Sequence, residues 1–277
     1  MENNSLSDLK KRLIVSTISV IVIIFLIFFS MHPIVSWILG LAVASLATIG
    51  TWEYAQFMIK KGLKPALYLM CLFSALFVIL SFISLRKSWS LSVDFILIYV
   101  AAVSFFIAHF KNVTNALNEI AGEFFSLFYI ALPLSLILFL LFSSHIFHGK
   151  WWAFYLIAVT KSVDIGAYFI GRLYGKHKLA PSISPQKTIE GAIGGFILSI
   201  LISALFAAFK LLPFTTALWL GALLALFAQL GDLAESLQKR DAGVKDSNSL
   251  PGLGGVLDMI DSLLFTTPIL CIYLYHL

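Results

Sequence analysis

The chain has 277 residues, 60% of them hydrophobic and only 12% charged, with a formal net charge of +5. Soluble domains carry about 25% charged residues, so this composition excludes a soluble globular enzyme. The modest positive charge suits an anionic lipid leaflet, and nothing in it points to nucleic acid. Long apolar runs recur from end to end, which gives an all-α polytopic membrane protein. Both cysteines, Cys71 and Cys271, lie inside such runs, so a disulfide framework is not expected.

In chain order, nine spans are expected, at about 13–31, 34–59, 65–84, 91–110, 120–143, 151–172, 191–211, 214–231 and 257–277. The first follows Lys10-Lys11-Arg12 as a signal peptide would. It is longer than a typical h-region and no small-x-small cleavage site follows, so it is read as a helix. Glu53, in the second span after Trp52, reads equally as a hydrogen-bonded glutamate or as a residue supporting a site. Glu119 and Glu123 open the fifth span and read as helix caps. His145 and His148 share a short loop with no acidic or thiol company, which is loop chemistry rather than a metal site.

An odd number of spans puts the termini on opposite sides. With the N-terminus cytoplasmic, fourteen Lys and Arg residues fall on the inner side, while only Arg86, Lys87, Lys150 and Lys210 fall outside. The positive-inside rule therefore gives a cytoplasmic N-terminus and an outer C-terminus. Of the 14 acidic residues only Asp94 falls on the outer side. No linker or low-complexity tract divides the chain. One integral-membrane domain, 1–277, is expected, with 1–150 mainly scaffold and lipid-facing helices and 151–277 carrying catalytic helices and cytoplasmic loops.

Two loops of the second half concentrate the ionisable residues. The first runs from the sixth span into the seventh: Lys161-x2-Asp164, then Arg172, Lys176 and Lys178, then Ser184-Pro185-x-Lys187-Thr188-x-Glu190-Gly191. Ionisable residues within a span are costly and are functional suspects by default. At i,i+3, Lys161 and Asp164 also suit a mutual ion pair. Gly171-Arg-Leu-Tyr-Gly175-Lys176 is no P-loop, because one residue is missing between the glycines and His177 replaces the Ser/Thr that would hold magnesium. What remains is a basic loop just before a helix N-terminus, a setting suited to an anion. Gly191 and Gly195 form a small-xxx-small pair expected to pack helices.

The second loop carries Asp232 and Glu235, then Lys239-Arg240, Lys245-Asp246, Pro251-Gly-Leu-Gly-Gly255, and Asp258 with Asp261. One acid in a first helical turn needs no explanation beyond the helix dipole. Two at i,i+3 lie on one face, as a shared hard cation requires. Facing a second acidic pair across a basic loop, they point to metal-assisted phosphate chemistry at a membrane surface. Magnesium, one or two ions, suits such a site, because it takes one or two carboxylates plus substrate phosphate oxygens. Lys and Arg would stabilise charge on the transferred group.

The pattern Ser236-x2-Lys239-Arg240-x4-Lys245-Asp246-x4-Leu250-Pro251-Gly252-x-Gly254-Gly255-x2-Asp258-x2-Asp261 resembles the signature of the phosphatidate cytidylyltransferases, also called CDP-diacylglycerol synthases. The earlier Asp164…Ser184-Pro185-x-Lys187-Thr188-x-Glu190-Gly191 run is similar to their second typical block. The resemblance covers about 100 residues. It implies CTP + phosphatidate → CDP-diacylglycerol + pyrophosphate with Mg²⁺, carried out among membrane lipids, and a homodimer. On it, Asp258 and Asp261 are expected to bind metal, with Asp232 or Asp246 as further ligands. Lys239, Arg240, Lys245, Lys187 and Arg172 would contact phosphates, Ser184 and Thr188 would orient them, and Lys161, Asp164, Glu190 and Glu53 would support the site. The expected location is the bacterial inner membrane, with the site near its cytoplasmic face. Leu253 and Met259 depart from the family's usual His and Arg. The rival readings are an ion-coupled transporter built on Lys161 and Asp164, or another lipid-phosphate transferase. The first would require a repeated half with broken helices, which the sequence lacks.

Overall fold

A computed structural model describes residues 22–87, 92–111, 113–143, 146, 148–245 and 255–276. Its elements are α1 (Pro33–Lys60), α2 (Leu67–Lys87), α3 (Ser92–His109), α4 (Ala116–Ser126), a π-helical turn (Leu127–Ala131) and α5 (Leu132–Phe142). They continue with α6 (Gly149–Tyr174), β1 (Lys178–Ala180), β2 (Ser184–Thr188), α7 (Ile189–Ala208), α8 (Phe214–Asp241) and α9 (Val256–Tyr275). Seven helices are long and apolar enough to cross a membrane, counting Ala116–Phe142 as one, and Val93–His109 is a shorter apolar helix. Each expected span from the second to the ninth thus coincides with a helix. Of the first expected run, residues 22–28 are helical, 29–31 form a turn, and 13–21 lie outside the described residues.

Three local features differ from the sequence reading. The eighth span was bounded at residue 231, where the apolar run ends, but α8 continues to Asp241. The segment Asp232-Leu-Ala-Glu-Ser-Leu-Gln-Lys-Arg is rich in good helix formers, so the helix outlasts its greasy stretch. The loop after α6 contains an antiparallel hairpin, with Lys178 opposite Thr188 and Ala180 opposite Ser184. Inside Ala116–Phe142 the backbone widens to a π-helical turn, and Pro133, which has no N–H to donate, follows directly.

The chain divides into two compact units, Met1–Phe142 with Asp246–Met259 and Ser143–Lys245 with Ile260–Leu277. In the first, Met58, Met70, Phe73, Phe77, Phe105 and Ile120 form a buried cluster. Glu119 and Glu123 belong to this unit and do not cap their own helix, whose N-cap is Asn115. Their carboxylates instead accept from the amides of Lys64 (2.7 Å) and Ala66 (2.6 Å), just ahead of α2. His109 bridges the two acids, at 3.1 and 2.7 Å. The caps are thus supplied across helices.

In the second unit α6 and α7 pack backbone to backbone. A Cβ added at Gly195 would stand 2.5 Å from the Val163 carbonyl, and one at Gly191 2.8 Å from that of Ala167. Buried hydroxyls then tie the helices together: Tyr155 shares a hydrogen bond with Ser203 (2.8 Å), and Ser203 donates to the Ala217 carbonyl of α8 (2.6 Å). In a bilayer such small-residue contacts and interhelical hydrogen bonds replace the hydrophobic drive between helices.

Candidate active site

The second unit gathers its charge where α6, α8, α9 and the hairpin meet. Gly231 is what lets α8 reach α9: a Cβ there would stand 2.5 Å from the Asp261 carbonyl and 3.2 Å from Ser262 Cα. Asp232 therefore sits beside Asp261, which is only 6% exposed. Asp164 is linked to the same place through Lys161, which reaches Ser262. Carboxylates of three helices are thus gathered around the contact of α8 with α9, and lysines pair with two of them. Lys187 from β2 pairs with Asp232 at 2.7 Å. Lys161 pairs with Asp164 at 3.0 Å and donates to Ser262 Oγ at 3.2 Å.

Around this cluster the remaining predicted residues have identifiable partners. Lys239 is ion-paired with Glu235, one turn away on α8 and fully buried. Arg240 donates through Nε to the Ile183 carbonyl (3.0 Å), holding the turn of the hairpin against the end of α8. Thr188 is the N-cap of α7, its hydroxyl accepting from Gly191 N at 3.2 Å. Glu190 accepts from Lys176 N (3.0 Å) and meets His177 Nδ1 at 2.6 Å, so it orders the loop leaving α6. Arg172 lies along its own helix, donating to the Tyr168 hydroxyl at 2.8 Å. Ser184 is half-buried in β2, and Lys245 is exposed just beyond the end of α8.

In the first unit, Glu53 is fully buried and accepts from Val256 N (3.0 Å) and Leu257 N (2.8 Å) at the start of α9. Asp258 accepts from Gly255 N at 3.2 Å, the reach-back half of a capping box. Asp258 and Asp261 are thus carried one turn apart on α9. Asp246, Leu253 and the rest of 246–254 lie outside the described residues.

Among the described residues no three His, Cys, Asp or Glu side chains form a ready-made metal site. The donor set nevertheless fits a hard divalent cation: buried Asp261 and half-buried Asp232 bring two carboxylates together, and magnesium takes few protein ligands when phosphate supplies the rest. Sequence reasoning missed Ser262, Gly231 and His177. Only Gly231 left a signal, as a small residue directly before an acid at the end of an apolar run.

Comparison with known proteins extends over nearly the whole chain. The model of the cytidylyltransferase family matches residues 10–277. The phosphatidate cytidylyltransferase of Chlamydia pneumoniae is 35% identical over 284 residues, covering 96% of this chain and 92% of its own. That of Chlamydia trachomatis is 35% identical over 289 residues, covering 97% and 94%. The phosphatidate cytidylyltransferase of Bacillus subtilis is 46% identical over 126 residues, covering 44% and 47%. With a family match of that extent laid over carboxylates and lysines gathered on and beside membrane-length helices, the chain belongs to the cytidylyltransferase family.

Proposed function

We propose that this chain is a nucleotidyltransferase that moves the cytidylyl group of CTP to phosphatidate, giving CDP-diacylglycerol and pyrophosphate. The observation that carries the reading is the convergence of Asp164, Asp232 and Asp261 with Lys161 and Lys187, in a chain whose full-length relatives are named phosphatidate cytidylyltransferase. A phosphate oxygen of phosphatidate attacks the α-phosphorus of CTP. The new P–O bond forms as the bond to the β-phosphate oxygen breaks, and pyrophosphate leaves. A phosphomonoester is already ionised near pH 7, with a second pKa of about 6, so no general base is needed.

Asp232 and Asp261 would hold Mg²⁺, with Asp258 and Asp246 as candidates for a second ion. Bound there, the metal would polarise the attacked phosphorus and neutralise the leaving group. Lys187 and Lys161 are placed to exchange their carboxylate partners for phosphate oxygens. Arg240 and Lys245, where α8 ends, extend the cationic surface towards the triphosphate. The diacyl chains would enter sideways between helices. Nine spans, a cytoplasmic N-terminus, an outer C-terminus and a site near the cytoplasmic face of a bacterial inner membrane complete the reading, on the strength of the positive-inside count.

The test uses purified protein in mixed micelles with phosphatidate, Mg²⁺ and labelled CTP. Label entering the organic phase only when both phosphatidate and Mg²⁺ are present is the expected result. Absence of transfer from any of the four nucleotides to any lipid phosphate would overturn it.

A further inference from the structure

Helix α9 begins without a side chain of its own at the N-cap. Its N-terminus leaves amides with no intrahelical partner, and a local Ser, Thr, Asp or Asn is the usual remedy. Here the cap position is Gly255, preceded by Gly254, so the sequence supplies no cap side chain at that point. The gap is filled from 203 positions away: both oxygens of Glu53 accept from consecutive amides, Val256 and Leu257. Glu53 is 0% exposed, within about two turns of the C-terminal end of a helix of membrane length. A glutamate in such a place is costly, and two amide donors at the end of a helix satisfy both of its oxygens.

Asp258 closes the remaining gap by taking Gly255 N. Glu53 and Asp258 thus hold the first turn together, Glu53 through the Val256 and Leu257 amides and Asp258 through that of Gly255.

We propose that Glu53 is a positioning residue for catalysis. By capping α9 from α1 it fixes the turn that carries Asp258 and leads to Asp261. The inference rests on the reading of α9 as the helix of the metal-binding aspartates, so the experiment has two separable arms. Glu53→Gln keeps the size of the side chain but replaces one acceptor with a donor aimed at a backbone N–H.

The first arm follows hydrogen exchange of the amides of residues 255–258 in detergent or nanodiscs without substrates, and does not depend on what the enzyme does. Exchange there should rise about tenfold, the scale of a lost cap, while α2 and α7 exchange as in the wild type. The second arm measures cytidylyl transfer, where kcat should fall at least tenfold with the KM for CTP within about twofold. Unchanged exchange at 255–258 overturns the capping role. Raised exchange with unchanged kcat overturns the positioning role, leaving Glu53 purely structural. Wild-type protein without any transfer would instead sink the functional reading and the positioning role with it, while the exchange arm still decides the cap. Should Glu53→Gln fail to insert, Glu53→Asp keeps the charge at a reach shorter by one methylene. Intermediate exchange and intermediate kcat are then expected together, and a change in one without the other overturns the proposal.

Discussion

Lys187 lies 2.7 Å from Asp232 and Lys161 3.0 Å from Asp164, so each lysine holds a carboxylate that the proposed reading gives to the site. Carboxylates brought together need positive charge, and these lysines supply it. Removing a carboxylate therefore changes charge balance without leaving a hole. Asp261→Asn preserves shape, so yield and melting temperature should stay near the wild type while label transfer from CTP falls at least about 100-fold. Asp258→Asn is more discriminating. The asparagine amide oxygen can still accept from Gly255 N, so this reach-back bond is kept while the charge is lost. A comparable loss of turnover is expected, and it would belong to the charge; substantial activity in either variant removes that residue from the metal site. The Lys161–Asp164 pair was legible in the sequence because i,i+3 spacing closes it locally. The work of Glu53, Glu119 and Glu123 was not. Their partners are backbone amides 203, 55 and 57 positions away, and an amide leaves no mark on the residue type that carries it.

At the scale of elements, what positions the site is close approach of backbones. Gly231 brings α8 against α9, and Gly191 and Gly195 bring α7 against α6, the latter pair readable as small-xxx-small spacing. A helical Gly→Ala change ordinarily stabilises by about 1 kcal/mol. At Gly195 the new methyl would meet the Val163 carbonyl, which cannot rotate away, so overpacking of about 1–3 kcal/mol should outweigh that gain. Gly195→Ala is expected to lower the thermal midpoint of the solubilised protein, and adding Val163→Ala should not restore it, because the obstacle is backbone. Gly122→Ala is the control: its nearest neighbour is the terminal methyl of Met58, a flexible end that can move, and little change is expected. Gly195→Ala melting like the wild type would mean that α6 and α7 are not held at this separation. The hairpin of β1 and β2 was beyond such reading. Its strands have three and five residues and include Pro185, a pattern that local propensity assigns to a loop. The pairing depends on Thr188 and Glu190 fixing the far side of the turn, which is tertiary information.

For the whole molecule the open quantity is the number of crossings, because each one decides the side on which every later loop emerges. Helix α3 is the critical case, since it is shorter than the other spans. Its two ends nevertheless reach both ends of α2. Asp94, near its start, accepts from Ser81 in the last third of α2, and His109, its final residue, meets Glu123, which caps the amide ahead of α2. From Asp94 to His109 the rise is about 22 Å at 1.5 Å per residue, close to the rise from Leu67 to Ser81 on its neighbour. A helix that retraces its neighbour over that length is expected to cross as its neighbour does. With it, and with the run that includes the helical residues 22–28, the proposed nine crossings are complete. The cation bias then assigns sides. With the native cysteines replaced, single cysteines at Lys61 and Lys178 should resist a membrane-impermeant thiol reagent in intact cells, while those at Lys87 and Phe209 should react; all four residues are exposed in the fold. If α3 did not cross, the loops on either side of it would emerge together. Every later position would then exchange sides relative to the first two helices, so Lys61 and Lys178 would label oppositely. That single contrast decides whether α3 crosses, whichever way the N-terminus faces.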